Sequence, residues 1–185
     1  MNASDRQPHQ SLKLTALTGI PLVHPGDCLV SFILQSLKQT EINLKEGDIL
    51  VIAQKVVSKS EGRYVRLDNV EPSKKALELA KLTEKDPRLV ELILTESREI
   101  VRHRDGVIVV ENRQGIILAN AGIDQSNVES DNEAEQVLLL PLNPDESASN
   151  IRKQLQKKTN VNVAVIINDS IGRAWRNGTI GTALG

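Results

Sequence analysis

Several residue types that define familiar classes of protein are scarce in this chain of 185 residues. Cys28 is the single cysteine, which excludes an intrachain disulfide and a thiolate metal cluster. The three histidines are scattered and lack the spacing of a zinc site. The aromatic residues are only Phe32, Tyr64 and Trp175, so a base-stacking platform for nucleic acid is not expected.

Charge of one sign and long apolar runs are also lacking. The net charge is −1, which gives no basic field to hold nucleic acid or an anionic membrane. The apolar runs are too short to cross a bilayer, and residues 1–10 are polar and lack a signal-peptide core. We therefore expect a flexible tail over residues 1–10, a single domain over residues 11–185, a cytoplasmic location, and no membrane or nucleic-acid partner.

Branched aliphatic residues are abundant, with 23 Leu, 17 Val and 16 Ile. This content is far above that of disordered chains and predicts an aliphatic core. A domain of this size buries about 70% of its unfolded surface, so it needs no covalent staple. Cys28, with no accompanying histidine constellation, is predicted to be a core residue.

The order of apolar patterns predicts an α+β, or mixed α/β, fold. Helical spacing or capping signals mark residues 28–38, 54–62, 73–82, 87–97 and 145–158. Strand patterns mark residues 11–17, 49–53, 99–104, 107–111, 115–119, 137–140 and 161–167. The unbroken apolar run at 49–53 is typical of a strand covered on both faces. Residues 99–119 are expected to form a central meander of hairpins, and helices are expected to cover the other strands.

Two predicted loops carry candidate metal ligands directly after strands. Asp124 lies in the loop 120–129, and Asp169 and Ser170 lie in the loop 168–179. Carboxylate and hydroxyl oxygens suit Mg²⁺ or Mn²⁺, and Arg173 and Arg176 could bind a phosphate or carboxylate. Asp, Ser and Gly after a strand are also the ordinary content of a turn, so a structural role stays open.

A third segment, residues 54–63, carries Lys55 and Lys59 after the strand at 49–53. Cations at this position could face an anionic ligand. On these residues alone, a solvated charged helix face is the favoured interpretation.

Five segments together resemble one family, the coenzyme F420-0:L-glutamate ligases, also called F420 gamma-glutamyl ligases. The segments occur in the order of that family, and they are residues 17–22 (LTGIPL), 47–52 (GDILVI), 54–63 (QKVVSKSEGR), 119–128 (ANAGIDQSNV) and 168–173 (NDSIGR). The resemblance covers residues 14–185 and also implies the family's fold.

The resemblance implies a GTP-dependent ligase that joins L-glutamate to F420-0 through an acyl phosphate and adds later glutamates through the γ-carboxylate. It implies Mg²⁺ or Mn²⁺, K⁺ as a helper, and a homodimer. Carried over by position, the metal ligands would be Asp124, Asp169 and Ser170. The GTP site would be lined by Ile20, Pro21, Leu22, Val23, Gln54, Lys55, Lys59 and Asn127.

Two other functions remain open at this point. The same residues would serve a metal-dependent phosphohydrolase, and a non-catalytic nucleotide-binding fragment is the third alternative. Family members continue past residue 185, so the ligase-like domain is expected to be incomplete at its C-terminus. We therefore expect an exposed apolar patch or open strand edge near the C-terminus, lower solubility than that of a chain extended past residue 185, and no ligase turnover from the 185-residue length.

Overall fold

The computed structural model describes residues 11–125, 135–172 and 177–185. Over these residues the chain forms five α-helices, eight strands and two short 3₁₀ turns. The helices are α1 (Leu29–Gln39), α2 (Gln54–Ser60), α3 (Lys74–Thr83), α4 (Pro87–Thr95) and α5 (Pro144–Thr159). The strands are β1 (Ile49–Ala53), β2 (Tyr64–Arg66), β3 (Ser97–Arg104), β4 (Val107–Asn112), β5 (Ile117–Ala119), β6 (Gln136–Leu138), β7 (Ala164–Gly172) and β8 (Thr179–Ala183). The 3₁₀ turns are Leu67–Asn69 and Asn120–Gly122.

The described strands form three separate sheets. In the first, β7 lies between β1 and β8, parallel to β1 and antiparallel to β8. The second pairs β2 with β6, and the third is the antiparallel meander β3-β4-β5. The predicted α+β class and the central meander are thereby confirmed.

Two main apolar cores hold these layers. One packs α3 and α4 on the meander and includes Ile93, Ile108 and Val110, all fully buried. The other packs α1 and α5 on the β1-β7-β8 sheet around Leu155 and Ile167. Their side chains are aliphatic, as the composition predicts.

A third, smaller cluster joins the two halves of the fold. Its buried members are Leu118, Leu140 and Leu184, with Ile116 and Ile171 packed against them. Because Leu118 belongs to β5 and Ile171 to β7, this cluster holds the meander beside the first sheet.

Local capping signals fix the helix starts. Asp86 caps α4 by accepting a hydrogen bond from the N–H of Arg88, with Pro87 at the first helical position, as predicted. Ser73 caps α3 in the same way, accepting from the N–H of Ala76. The cap of α5 is Asn143 rather than the predicted Asp145, which lies in its first turn.

Some strand predictions are wrong. Residues 11–17 form no strand, while β2 and β8 were not foreseen. The coverage of β1 is also wrong, since Ile49 and Val51 are 59% and 58% exposed and only the opposite face is packed. The last strand was expected at 161–167, and β7 instead continues through Gly172. It has partners on both edges, so β7 itself has no open edge, and the exposed large apolar side chains of this sheet are Ile49 and Val51 on β1 and Ile180 on β8.

No helix in the described parts of the chain combines the length and the hydropathy needed to span a membrane. The predicted tail at residues 1–10 lies outside the described residues.

Candidate functional site

The C-terminal end of the parallel pair β1-β7 brings two of the predicted segments together. Ala53, the last residue of β1, pairs with Asn168 of β7, and α2 begins at the next residue, Gln54. Asp169 therefore lies one residue beyond the end of β1, close to the first turn of α2. Functional groups commonly collect at this edge, because strand ends hold them rigidly.

A left-handed turn places Asp124 at the same edge. Asn120, Ala121 and Gly122 all have positive φ, of 51°, 55° and 71°, which is costly for the two residues that have a Cβ atom. The side-chain oxygen of Asn120 accepts a hydrogen bond from the N–H of Ile108 at 3.2 Å, which ties the turn to β4.

Two further contacts fix the turn and the residue that follows it. A Cβ atom at Gly122 would lie 2.8 Å from a methyl carbon of Leu140 and 2.9 Å from one of Leu118, so the turn packs directly on the third cluster. Asp124 then exchanges two backbone hydrogen bonds of 2.9 Å with Leu138. Leu138 thereby pairs with both the N–H and the carbonyl oxygen of Asp124.

Lys55, Asp124 and Asp169 meet at this point. Nζ of Lys55 lies 2.5 Å from Oδ2 of Asp124, and both side chains are partly exposed. Burial raises the pKa of the Asp169 carboxyl, although the hydrogen bond from the N–H of Ser170 lowers it. The charge of Asp124 raises this pKa further, and the Lys55 ammonium lowers it. Two carboxylates and one ammonium thus form one electrostatic unit.

Ser170 is placed differently from Asp169. The register pairs Asp169 with Thr182 and Ser170 with Gly181, and neighbouring residues of a strand alternate between its two faces. Ser170 is exposed while Asp169 is half-buried. The structure therefore brings Asp124 and Asp169 together, and it places the Ser170 side chain on the other face of β7.

The residues of α2 that are predicted to bind GTP lie on two faces of the helix. Lys55 and Lys59 are four residues apart, so they lie one turn from each other on the same face. Lys59 is half-buried. Gln54 is buried and its side-chain oxygen accepts a hydrogen bond from the hydroxyl of Ser58 at 3.0 Å.

Four further residues that are predicted to bind GTP lie in the loop before α1. Ile20, Pro21 and Leu22 are exposed, and the Val23 side chain is buried in the core beside α2. The hydroxyl of Ser36 donates to the carbonyl oxygen of Thr18 at 2.6 Å, which fastens the start of this loop to α1. The N–H of Gly26 donates to the carbonyl of Ser60 at 2.8 Å, which fastens its end to α2.

Three other sequence candidates, Asn127, Arg173 and Arg176, lie outside the described residues. The prediction for Cys28 is wrong, because this residue is exposed at the start of α1. A cavity of about 200 Å³ beside it lies between α1, α2 and α5 and has neither Asp124 nor Asp169 in its lining.

The donor set at the sheet edge fits Mg²⁺ or Mn²⁺ held together with a phosphate. Among the described residues, no three His, Cys, Asp or Glu side chains gather around one point, so an all-protein cage is not built there. Mg²⁺ commonly binds one or two carboxylates and takes its other oxygens from water and phosphate. The paired carboxylates of Asp124 and Asp169 supply that number.

Thr182 was not foreseen as part of this region. It is half-buried on β8 and is the direct cross-strand neighbour of Asp169, so it lies on the same face of the sheet. The signal that could have revealed it is the β-branched content of this segment, Thr179, Ile180 and Thr182, which the intervening Gly181 weakens.

The chain is similar to proteins of one family over most of its length. Residues 19–185 match the family described as F420-0:Gamma-glutamyl ligase. Several relatives carry the name coenzyme F420:L-glutamate ligase. That of Methanothermobacter thermautotrophicus is 45% identical over 174 residues, which are 94% of this chain and 68% of the relative. That of Methanocaldococcus jannaschii is 46% identical over 142 residues, 77% of this chain and 55% of the relative. That of Methanopyrus kandleri is 45% identical over 163 residues, 88% of this chain and 61% of the relative.

The fold is mixed α+β, and its sheet edge presents two carboxylates and a lysine. The chain belongs to the F420-0:gamma-glutamyl ligase family, as the resemblance of its five segments predicts. It spans between 55% and 68% of the length of the three relatives.

Proposed function

We propose that this protein is a GTP-dependent ligase that adds L-glutamate to coenzyme F420-0, with γ-linkage in later additions. The observation that carries the proposal is the convergence of Lys55, Asp124 and Asp169 at one sheet edge, in a chain of this family. The relatives are named as ligases of coenzyme F420 and L-glutamate, which supports these two substrates.

The reaction needs an activated carboxyl group, because a carboxylate is a poor electrophile. An oxygen of the F420-0 carboxylate attacks the γ-phosphorus of GTP, and the bond to GDP breaks. The acyl phosphate formed is then attacked at its acyl carbon by the amine of glutamate. An amide bond forms, inorganic phosphate leaves and the amine loses a proton. Positioning and charge stabilisation account for most of the catalysis in phosphoryl transfer.

The residues at the sheet edge suit this chemistry. A divalent cation, Mg²⁺ or Mn²⁺, would be held by Asp124 and Asp169 and would offset charge on the GTP phosphates. Lys55 and Lys59 would add positive charge from one face of α2. The loop at Ile20, Pro21 and Leu22 would contact the nucleotide. Ser170 and Asn127 are retained as candidate metal and nucleotide contacts on the resemblance alone.

Further properties are carried over from the family resemblance. These are K⁺ as a helper ion, a homodimeric assembly and a cytoplasmic location, and each remains a prediction. Gel filtration with light scattering tests the dimer, and GTP binding in K⁺ against Na⁺ buffer tests the helper ion.

The test combines binding and product analysis. We expect the purified chain to bind GTP in the presence of Mn²⁺, with affinity lost in Asp124→Asn and Asp169→Asn. Asp105→Asn is the matched control, because Asp105 lies exposed in the β3-β4 turn. GTP binding that is equal with and without metal in all four proteins would contradict the proposal.

Mass spectrometry of reactions with GTP, Mn²⁺, F420-0 and glutamate then separates the candidate functions. Glutamylated F420 that requires all four components identifies the ligase. Phosphate release without F420-0 or glutamate would favour the phosphohydrolase. Glutamylated product from the 185-residue length would also show that the expectation of no turnover is wrong, and the metal-dependent GTP binding tests the proposal whether or not product forms.

A further inference from the structure

A lysine side chain of the protein lies directly beside one of the candidate metal ligands. Nζ of Lys55 lies 2.5 Å from Oδ2 of Asp124, and the side chains are 29% and 21% exposed. At this distance the ammonium forms a charge-assisted hydrogen bond with that oxygen. A divalent cation that binds Asp124 through the same oxygen must displace the lysine.

The two carboxylates need a counterion because they lie close together. Asp169 is half-buried and its backbone neighbour Ser170 donates only one N–H to it, at 2.8 Å. Leu138 holds the Asp124 backbone through two hydrogen bonds, so the backbone of Asp124 cannot move away from Asp169 without breaking them. Positive charge from Lys55 offsets this fixed negative charge.

We propose that Lys55 is an exchangeable counterion, which neutralises the Asp124–Asp169 pair and leaves Asp124 when a divalent cation and a nucleotide phosphate bind. The inference rests on the proposed function, since it takes the carboxylates as the metal site. Lysine suits the exchange because its charge sits on a flexible four-carbon stem and can turn from carboxylate to phosphate.

The position of Lys55 on α2 favours this movement of its ammonium group from carboxylate to phosphate. Lys55 lies in the first turn of α2, and Lys59 lies on the same face one turn later. A phosphate held there would meet both ammonium groups. The metal would take over the carboxylates, and the displaced lysine would gain an anionic partner. Metal and nucleotide should therefore strengthen each other's binding through Lys55, a reciprocal coupling.

Titration with Mn²⁺ alone, followed by calorimetry, tests the exchange. We expect Lys55→Met to bind Mn²⁺ more tightly than the wild type by about tenfold, since the competing ammonium is gone. Lys55→Arg keeps a cation and should retain the wild-type affinity to within a small factor. Lys153→Met is the matched control, because it removes one exposed positive charge from α5 and should leave Mn²⁺ affinity unchanged.

A second measurement guards against a folding defect. Without added metal, Lys55→Met should melt at a lower temperature than the wild type, because two carboxylates then lack their counterion. Mn²⁺ should raise its Tm by more than it raises that of the wild type. In the presence of GTP, the gain in Mn²⁺ affinity should be larger for the wild type than for Lys55→Met.

The outcomes separate the exchange from the metal site. If Asp124→Asn and Asp169→Asn weaken Mn²⁺ binding while Lys55→Met leaves it unchanged or weaker, the exchange is wrong and the metal site stands. If neither Asp substitution changes Mn²⁺ binding, the proposed metal site is wrong, and the exchange at Lys55 is then also wrong.

Discussion

Asp169 and Ser170 are neighbours on β7 whose side chains lie on opposite faces of the strand, yet a hydrogen bond joins the backbone of Ser170 to the side chain of Asp169. The backbone N–H of Ser170 donates to Oδ1 of Asp169 at 2.8 Å. The bond therefore uses the main chain of Ser170 and not its hydroxyl. It orients the Asp169 carboxylate whatever side chain residue 170 carries.

This relationship predicts unequal effects of substitution on metal binding. Ser170→Ala keeps the N–H donor and should leave Mn²⁺ affinity nearly unchanged. Asp169→Asn removes a carboxylate ligand and should weaken binding by at least about tenfold. Calorimetric titration with Mn²⁺ measures both. An equal loss in the two variants would show that the Ser170 hydroxyl is itself a ligand.

The raised pKa of Asp169 predicts that this residue lowers the stability of the metal-free fold while it serves metal binding. Its pKa is raised in the folded state, first of all by burial, so the folded protein binds its proton more tightly than the unfolded chain does. The charged carboxylate therefore destabilises the fold above the raised pKa, and this cost disappears below the ordinary pKa of Asp. Asp169→Asn should melt at a higher temperature than the wild type at pH 7 without metal, and the difference should vanish in acid.

Thermal melts over a pH series test this prediction, and added Mn²⁺ supplies the control. Metal should raise the Tm of the wild type and leave that of Asp169→Asn nearly unchanged. A lower Tm for Asp169→Asn at pH 7 without metal would contradict the argument.

Elements with strong local signals were predictable from the sequence. α4 has an Asp-Pro start and a periodic apolar face, and the structure places it at Pro87–Thr95. The meander was also found, since its hairpins carry local turn signals. The strand β2 was missed because its three residues pair only with β6, far along the chain. Pairing at that distance leaves no local pattern.

The candidate site was predictable in part for the same reason. The sequence singles out Asp124 and Asp169 as candidates because each follows an apolar strand pattern. The continuation of β7 through Asp169 and Ser170 was missed, because these polar residues are held in a strand by pairing with β8. The contact of Lys55 with Asp124 depends on a left-handed turn that includes Ala121, a residue type that gives no signal for that conformation.

Asp86 gives a prediction for acid stability. It caps α4 and its carboxylate also contacts the guanidinium of Arg88 at 2.6 Å. The hydrogen bond from the Arg88 side chain holds the pKa of Asp86 below its ordinary value. The stabilisation is therefore present above the ordinary pKa of Asp and is lost as the pH falls through the lowered one.

Two substitutions at Asp86 separate the cap from the charge. Asp86→Ala should cost about 1 kcal/mol at pH 7, because it removes both. Asp86→Asn keeps a good capping oxygen and should cost less, with a loss that fades at low pH and in high salt. Chemical denaturation at several pH values measures both. A pH-independent loss in Asp86→Asn would show that the ion pair contributes nothing.

The left-handed turn before Asp124 gives a matched pair of substitutions. At Gly122, with φ of +71°, an alanine Cβ would press on Leu140 and Leu118. Gly122→Ala should therefore destabilise the fold by about 1–3 kcal/mol and weaken Mn²⁺ binding through Asp124. Ala121→Gly relieves the positive φ of Ala121 and should be closer to neutral. Equal losses in denaturation experiments would argue that backbone strain is not the cause.

Val51 and Ile52 test the exposed face of β1. They are adjacent in the strand, and Val51 is 58% exposed while Ile52 is buried. Val51→Thr should change the free energy of unfolding by less than about 0.5 kcal/mol, because the side chain has little packing to lose. Ile52→Thr should cost more than about 2 kcal/mol, because it opens a cavity and buries a hydroxyl group.

An exposed apolar face on an edge strand favours association, so Val51→Thr should also reduce concentration-dependent self-association in sedimentation velocity. Unchanged sedimentation with a large loss of stability in Val51→Thr would show that this face is packed in solution.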